Sequence, residues 1–195
     1  MRILGLTGKT GAGKSTVAAY LEKKGCFIID GDKVAREIVL ANSPALRELA
    51  DAFGEDIILP DGSLDRKALA ARAFSSREKT ELLNSITHPH IKRRFEQLVQ
   101  KACSEGFSLA VIDAAALLES DCRELCEKII VVHADEELRL RRILRRDGIT
   151  REQALTRIKG QREDNYYFER ADVVIYNNEN TDLTNELEKL KELIL

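Results

Sequence analysis

The segment GLTGKTGAGKST, residues 5–16, constrains the fold more than any other part of the chain. From Gly8 to Ser15 it satisfies G-x-x-x-x-G-K-[ST] at every fixed position, the spacing of a loop that cradles the phosphates of a nucleoside triphosphate. A glycine-rich turn could carry a lysine by chance, but a true phosphate loop needs a buried strand before it and a helix after it. Both flanks fit: RILGLT at 2–7 is a short apolar run, and KSTVAAYLEKKG from Lys14 onward reads as a helix. Glycines at 8, 11 and 13 permit backbone conformations that bring successive N–H groups around an anion. Gly11, Ala12, Gly13, Lys14, Ser15 and Thr16 are therefore assigned to ATP. In this assignment Lys14 is a mobile charge for the β- and γ-phosphates, Ser15 is a ligand for Mg2+, and the helix dipole reinforces the same anion site.

Four further apolar runs, at 26–30, 108–113, 128–134 and 172–177, read as strands. None alternates, which suits strands covered on both faces of a parallel sheet. Helical stretches separate them, so the expected architecture is a single α/β domain: a three-layer, doubly wound parallel sheet of about five strands, of the P-loop NTPase type. Ligands of such sheets sit beyond the carboxyl ends of the strands, which gathers the P-loop, residues 30–32 and residues 113–119 around one crevice. About 77 residues separate the second and third strands, more than a crossover needs. Their apolar residues recur at helical spacing, giving a helical substrate-binding insertion over 35–105, with LPDGSL at 59–64 as a turn or small hairpin. Separate helical segments are expected before and after Pro89. Residues 138–165 are basic and helical, and are assigned to a lid, leaving a core of 1–34, 106–137 and 166–195. The closing DLTNELEKLKELIL reads as one amphipathic helix docked on the sheet.

With 33 acidic and 31 basic residues the formal net charge is -2, which gives no general attraction to nucleic acid or to an anionic membrane. The apolar opening is too short for a signal sequence, and no run approaches a membrane span, so a cytoplasmic protein is expected, with a monomer favoured. Cys26, Cys103, Cys122 and Cys126 contain no C-x-x-C pair. Cys122 and Cys126 could share a helix face as a metal or redox pair, but buried thiols in a reducing compartment are the expectation for the set.

Several acidic and basic residues carry two readings each. Asp30 and Asp32 flank Gly31 at a strand end; on an extended chain they point the same way, one toward Mg2+ and the other as a base, or they cap the following helix. Asp113 closes its strand where a carboxylate would help to hold the metal, or merely caps it. Arg139, Arg141, Arg142, Arg145 and Arg146 form either a solvated face or a lid of which one or two members reach the nucleotide. His88, before Pro89, reads alone as a cap or a packed side chain.

Taken in order along nearly the whole chain, these motifs resemble the dephospho-coenzyme A kinases. The family's P-loop stands as GLTGKTGAGKST, its Asp-x-Asp with a following Ala-Arg as Asp30, Asp32 and VAR at 34–36, and its G-x-(L/I)-D-R as GSLDR at 62–66. Its T-H-P-x-I is THPHI at 87–91, its lid ends in RDGITREQALTRIKGQ at 146–161, and its final A-D-x-x-I-x-N is ADVVIYN at 171–177. Four positions depart from the pattern: Lys9 replaces a P-loop glycine, Gly31 replaces alanine, Ala115 replaces the proline of D-x-P-L-L-(F/Y)-E, and Tyr167 stands where a basic residue is common. The resemblance implies that Asp32 is the base for a ribose 3′-hydroxyl, that Thr7, Asp32, Arg66 and His88 contact the acceptor, and that Arg142 closes over the phosphates. ATP and dephospho-coenzyme A would be the substrates and Mg2+ the cofactor, with no nucleic acid or membrane partner. Another P-loop small-molecule kinase, of nucleoside, nucleotide or shikimate type, is the nearest rival. A P-loop switch or nucleic-acid-dependent ATPase is opposed by the missing N-K-x-D, the lack of a D-x-x-G after Asp113 and the near-neutral charge.

Overall fold

The computed structural model describes residues 1–194. They divide into two compact units, one made of residues 1–30 with 101 onward, the other of residues 31–100.

The first unit is built on five parallel strands: β1 (Arg2–Gly8), β2 (Phe27–Asp30), β3 (Leu109–Asp113), β4 (Lys128–His133) and β5 (Val173–Tyr176), in the order β2-β3-β1-β4-β5. Helices lie on both faces. The helices of the chain are α1 (Lys14–Lys23), α2 (Gly31–Glu37), α3 (Pro44–Phe53), α4 (Arg66–Ala73), α5 (Arg77–Ser104), α6 (Glu136–Asp147), α7 (Arg151–Lys159), α8 (Asp164–Phe168), α9 (Leu183–Glu188) and α10 (Lys191–Ile194). The strand interiors are apolar because both faces are covered. Leu4 and Leu6 of β1 register with Val111 and Ile130 of its neighbours, and all four are fully or almost fully buried, together with Val17 and Leu21 of α1. Each such leucine contributes about 1.5–3 kcal/mol by leaving water. Gly5 sits in the middle of β1 because a Cβ there would come within 2.5 Å of the Leu117 side chain, which rests on the strand.

Two helical expectations change. The C-terminal stretch forms α9 and α10 with a break between them, where Leu190 is fully buried; packing of that one leucine outweighs the propensity of a short helix to run on. The last residue of the stretch, Leu195, lies outside the described residues. The helix α5, which begins in the second unit, runs unbroken for 28 residues with Pro89 inside it, so His88 is mid-helix and not at a helix start. A proline there removes one backbone hydrogen bond and costs about 3 kcal/mol. Anchors on both sides hold the helix together: Leu83 and Ile86 pack on the core of Leu49, Phe53 and Ile57, and Arg94 pairs with Glu37 of α2 at 3.0 Å. Ser43 and Asp65 cap α3 and α4, and an isolated antiparallel bridge between Ile58 and Leu64 makes 59–64 a small hairpin.

Candidate functional site

The P-loop turns between β1 and α1, and two observations fix which way its backbone faces. Gly13, the N-cap of α1, has φ 96°, a left-handed conformation that favours glycine. Gly11 has φ 80°, and a Cβ on it would lie 2.7 Å from the Arg139 carbonyl oxygen of α6. Donors then occupy the carbonyl side of the loop. The Asn177 amide, just past β5 and buried, donates to the Ala12 carbonyl at 2.8 Å. One Arg142 nitrogen donates to the carbonyls of Gly11 (3.3 Å) and Ala12 (3.2 Å), and the other to the Asn177 carbonyl at 3.1 Å. With the carbonyls tied outward, the amides at the very start of α1, those of Lys14 and Ser15, are left to receive an anion, while the Thr16 N–H donates to the Gly13 carbonyl at 3.0 Å.

Lys14 pairs with Asp113, the last residue of β3, and both side chains are largely buried. Ser15 and Thr16 are exposed in the first turn of α1. Thr7 is fully buried, its hydroxyl donating to the Ala115 carbonyl at 3.1 Å, so it positions the segment after Asp113 and offers no free hydroxyl to an acceptor. Asp30 ends β2 in register with Asp113 of β3. Asp32 does not share its side by strand alternation, because Gly31 already begins α2; it is exposed in the first turn of that helix. Arg66 is exposed at the start of α4, and His88 is half-buried on α5.

The arginine run divides by environment. Arg142 grips the P-loop carbonyls, Arg141 pairs with Glu179 at 2.9 Å, and Arg146 with Asp147 at 2.6 Å. Arg139, whose individual place in the run the sequence leaves open, is 3% exposed and donates to Gln161 Oε1 at 3.4 Å. An apolar seam of Leu140, Ile143, Ala154 and Ile158 joins α6 to α7 and turns Arg139 and Arg142 toward the P-loop. Beside the helix a cavity of about 340 Å³ is lined by Asp135, Leu138, Arg141, Asn178, Glu179 and Thr181.

Two departures from the family pattern meet in space. The Lys9 ammonium pairs with Asp164 at 2.6 Å and lies 5.9 Å from the ring centre of Tyr167. Burial, then the Glu119 carboxylate that its hydroxyl approaches at 3.5 Å, pushes the Tyr167 phenol up to about 12. Asn177 and Gln161, which touch the P-loop directly, stand within the sequence motifs but receive no role from sequence reasoning. For Asn177 the local signal is a polar residue just past an apolar strand; Gln161, in the polar run RIKGQREDN, has none.

Cys26, Cys122 and Cys126 are buried, as expected for structural thiols, but Cys103 is exposed near the end of α5. Burial pushes the Cys126 thiol up to about 12, so it is inert as a nucleophile, and it donates weakly to the Cys122 carbonyl at 3.8 Å. Among the described residues no helix is long and apolar enough to cross a membrane.

The dephospho-CoA kinase family profile matches residues 2–182. This chain belongs to the dephospho-CoA kinase family. Among its relatives in that family, the dephospho-CoA kinase of Corynebacterium glutamicum is 45% identical over 175 residues, covering 90% of this chain and 88% of the relative. A Thermus thermophilus protein of known structure superposes with a TM-score of 0.80 at 30% identity, over 99% of this chain and 95% of the other. The dephospho-CoA kinase of Campylobacter jejuni superposes with a TM-score of 0.61 at 26% identity, over 99% and 97% of the two chains. The family assignment therefore extends over the P-loop, Asp32, Arg66, His88, Arg142 and Asn177, all of which lie inside the matched span.

Proposed function

We propose that this member of the family transfers the γ-phosphoryl group of ATP to the ribose 3′-hydroxyl of dephospho-CoA, giving coenzyme A and ADP. The observation that carries the reading is the oriented P-loop, with its carbonyls bound by Arg142 and Asn177 and Lys14 beside the strand-end Asp113. In the transfer a bond forms between the 3′-oxygen and the γ-phosphorus while the bond from that phosphorus to the β,γ-bridging oxygen breaks. The 3′-hydroxyl proton passes to Asp32, which follows Asp30 by two residues and is exposed to accept it. Lys14 and the loop amides hold the phosphates and take up charge as it moves toward the leaving oxygen. Arg142 serves ATP by holding the loop; touching a phosphate itself would require it to leave the carbonyls it now binds. The cavity beside α6 shares that helix and the segment after β5 with Arg142 and Asn177, and suits the adenine of the same nucleotide. Arg66 and His88 are the proposed acceptor contacts, with Thr7 acting through the Ala115 segment.

Mg2+ fits the donor set at this site. Among the described residues no group of three or more His, Cys, Asp or Glu side chains could hold a metal by itself, whereas Mg2+ is commonly held by one or two protein oxygens together with phosphates and water. Ser15 and Asp113 are the residues that would hold it. When bound it supplies neutralisation of charge on the β- and γ-phosphoryl oxygens.

The test is direct. With MgATP the protein should convert dephospho-CoA to coenzyme A, while nucleosides, nucleotides and shikimate release no ADP above background. Asp32→Asn should lower kcat by about 100-fold or more and leave ATP affinity nearly unchanged, since a base acts chiefly in the transition state. An Asp32→Asn enzyme as fast as the parent removes Asp32 from the mechanism. No coenzyme A from the parent removes the proposed reaction.

A further inference from the structure

The turn after α7 and the start of α8 touch the P-loop on its outer side, away from any role given above. We propose that Gln161 and Asp164 form a polar clasp on Lys9 and Thr10 and act as positioning residues for ATP. The inference rests on the reading of this loop as the ATP site and goes beyond it, to what holds the loop in shape.

Adjacent loop residues are gripped by two different interactions from one distant segment. The Thr10 N–H donates to Gln161 Oε1 at 3.0 Å, and the Lys9 ammonium pairs with Asp164 at 2.6 Å. Gln161 Oε1 is a hub, because the buried Arg139 guanidinium donates to the same oxygen at 3.4 Å. Arg139 is also the residue whose backbone lies under Gly11, so one contact chain runs from α6 through Gln161 to both sides of the turn. The Lys9 carbonyl in turn accepts from the Ala12 N–H at 3.0 Å. Fixing residue 9 from outside therefore fixes the first half of the loop, while α1 fixes the second.

The same contacts say what Lys9 does. Its side chain is 13% exposed, and its charge is matched by Asp164 and lies over the Tyr167 ring. It acts on the position of the loop and not on the phosphates. Burial alone would raise the Asp164 carboxyl, but Lys9, His133 and Arg139 outweigh it and hold the group below its ordinary value, so Asp164 is a carboxylate at neutral pH.

The experiment is a titration of each variant with a fluorescent MgATP analogue, paired with steady-state kinetics. Gln161→Leu should weaken nucleotide binding by about tenfold, the scale of one lost hydrogen bond, and leave kcat and the acceptor KM within about twofold. Gln161→Glu keeps an acceptor oxygen for the Thr10 N–H and should recover most of that loss. Lys9→Met and Asp164→Asn should each weaken nucleotide binding, and the double variant should be no worse than the weaker single. Parent-like binding by Gln161→Leu, no recovery by Gln161→Glu, or additive losses for the Lys9–Asp164 pair would each overturn the clasp. Should Gln161→Leu fail to fold, the Lys9–Asp164 cycle still decides, since removing that pair leaves the apolar core intact. Nucleotide titration needs no acceptor, so a parent that binds MgATP but makes no coenzyme A refutes the proposed reaction and leaves the clasp standing.

Discussion

Arg142 offers the sharpest test of how the P-loop is held. Replacing it with alanine removes donors to three backbone carbonyls, those of Gly11, Ala12 and Asn177, at 3.1 to 3.3 Å. Only two are left without the partners described here, since the Ala12 carbonyl keeps the Asn177 amide at 2.8 Å. A hydrogen bond from a charged donor contributes about 1.5–3 kcal/mol, and these are long and half-exposed, so the low end applies to each. The expected loss is about 3 kcal/mol in all. At about 2–4 °C per kcal/mol for a chain of this size, the thermal midpoint should fall by about 6–12 °C. Arg142→Lys should recover little of it, because a single ammonium cannot span carbonyls that the planar fork of arginine reaches together. Circular dichroism melts of the parent and both variants make the measurement. If Arg142→Ala melts within about 1 °C of the parent, the guanidinium is not what orients the loop. If Arg142→Lys melts like the parent, charge and not fork geometry is what matters there.

Three further outcomes follow from other parts of the molecule. Burial holds the His133 imidazole below its ordinary value of 6.5, against the nearby Asp164 and Asp135, with Arg139 and Lys9 adding to the depression. The unfolded chain therefore takes up this proton first as pH falls below 6.5, and stability contributed by the neutral ring is lost through that window. His133→Phe, which keeps a ring against Phe168 and Tyr176, should flatten the slope of urea midpoint against pH there, and an unchanged slope would exclude His133 as its source. Pro89→Ala should raise stability by up to about 3 kcal/mol by restoring a hydrogen bond inside α5, and a lowered melting point would show that the proline shapes the helix. Gly11→Ala, with φ 80° and the Arg139 carbonyl 2.7 Å from the new Cβ, should weaken MgATP binding by more than about tenfold, and parent-like binding would show the loop to be more compliant than its packing implies.

How much of this was legible in the sequence depended on the range of the interaction concerned. The P-loop and the five strands were legible because each rests on local pattern: glycines at fixed spacing, and apolar runs covered on both faces. Asp113 could be placed at a strand end for the same reason, and the family assignment agrees with motifs spread along most of the chain. Pro89 misled because its local cost is real, whereas the packing of Leu83 and Ile86 and the Arg94–Glu37 pair that outweigh it join segments far apart in sequence. The Asp30–Asp32 geometry failed for a smaller reason: the strand stops one residue sooner than alternation required, and Gly31 enters a helix.

Lys9 shows the limit most plainly. Its sequence neighbours are glycine and threonine in a phosphate loop, where a lysine invites a role at the phosphates. The partner that decides otherwise, Asp164, lies more than 150 residues away and has no local mark beyond beginning a short helix. Tyr167, three residues further on, sits one turn along that helix and brings its ring to the same ammonium. Two positions that read separately as departures from a family pattern are thus parts of one contact. A charge placed on the loop meets an acid and an aromatic face; a basic residue at position 167 would have set a second cation against Lys9, whereas Tyr167 stays neutral there because burial and Glu119 hold its proton on.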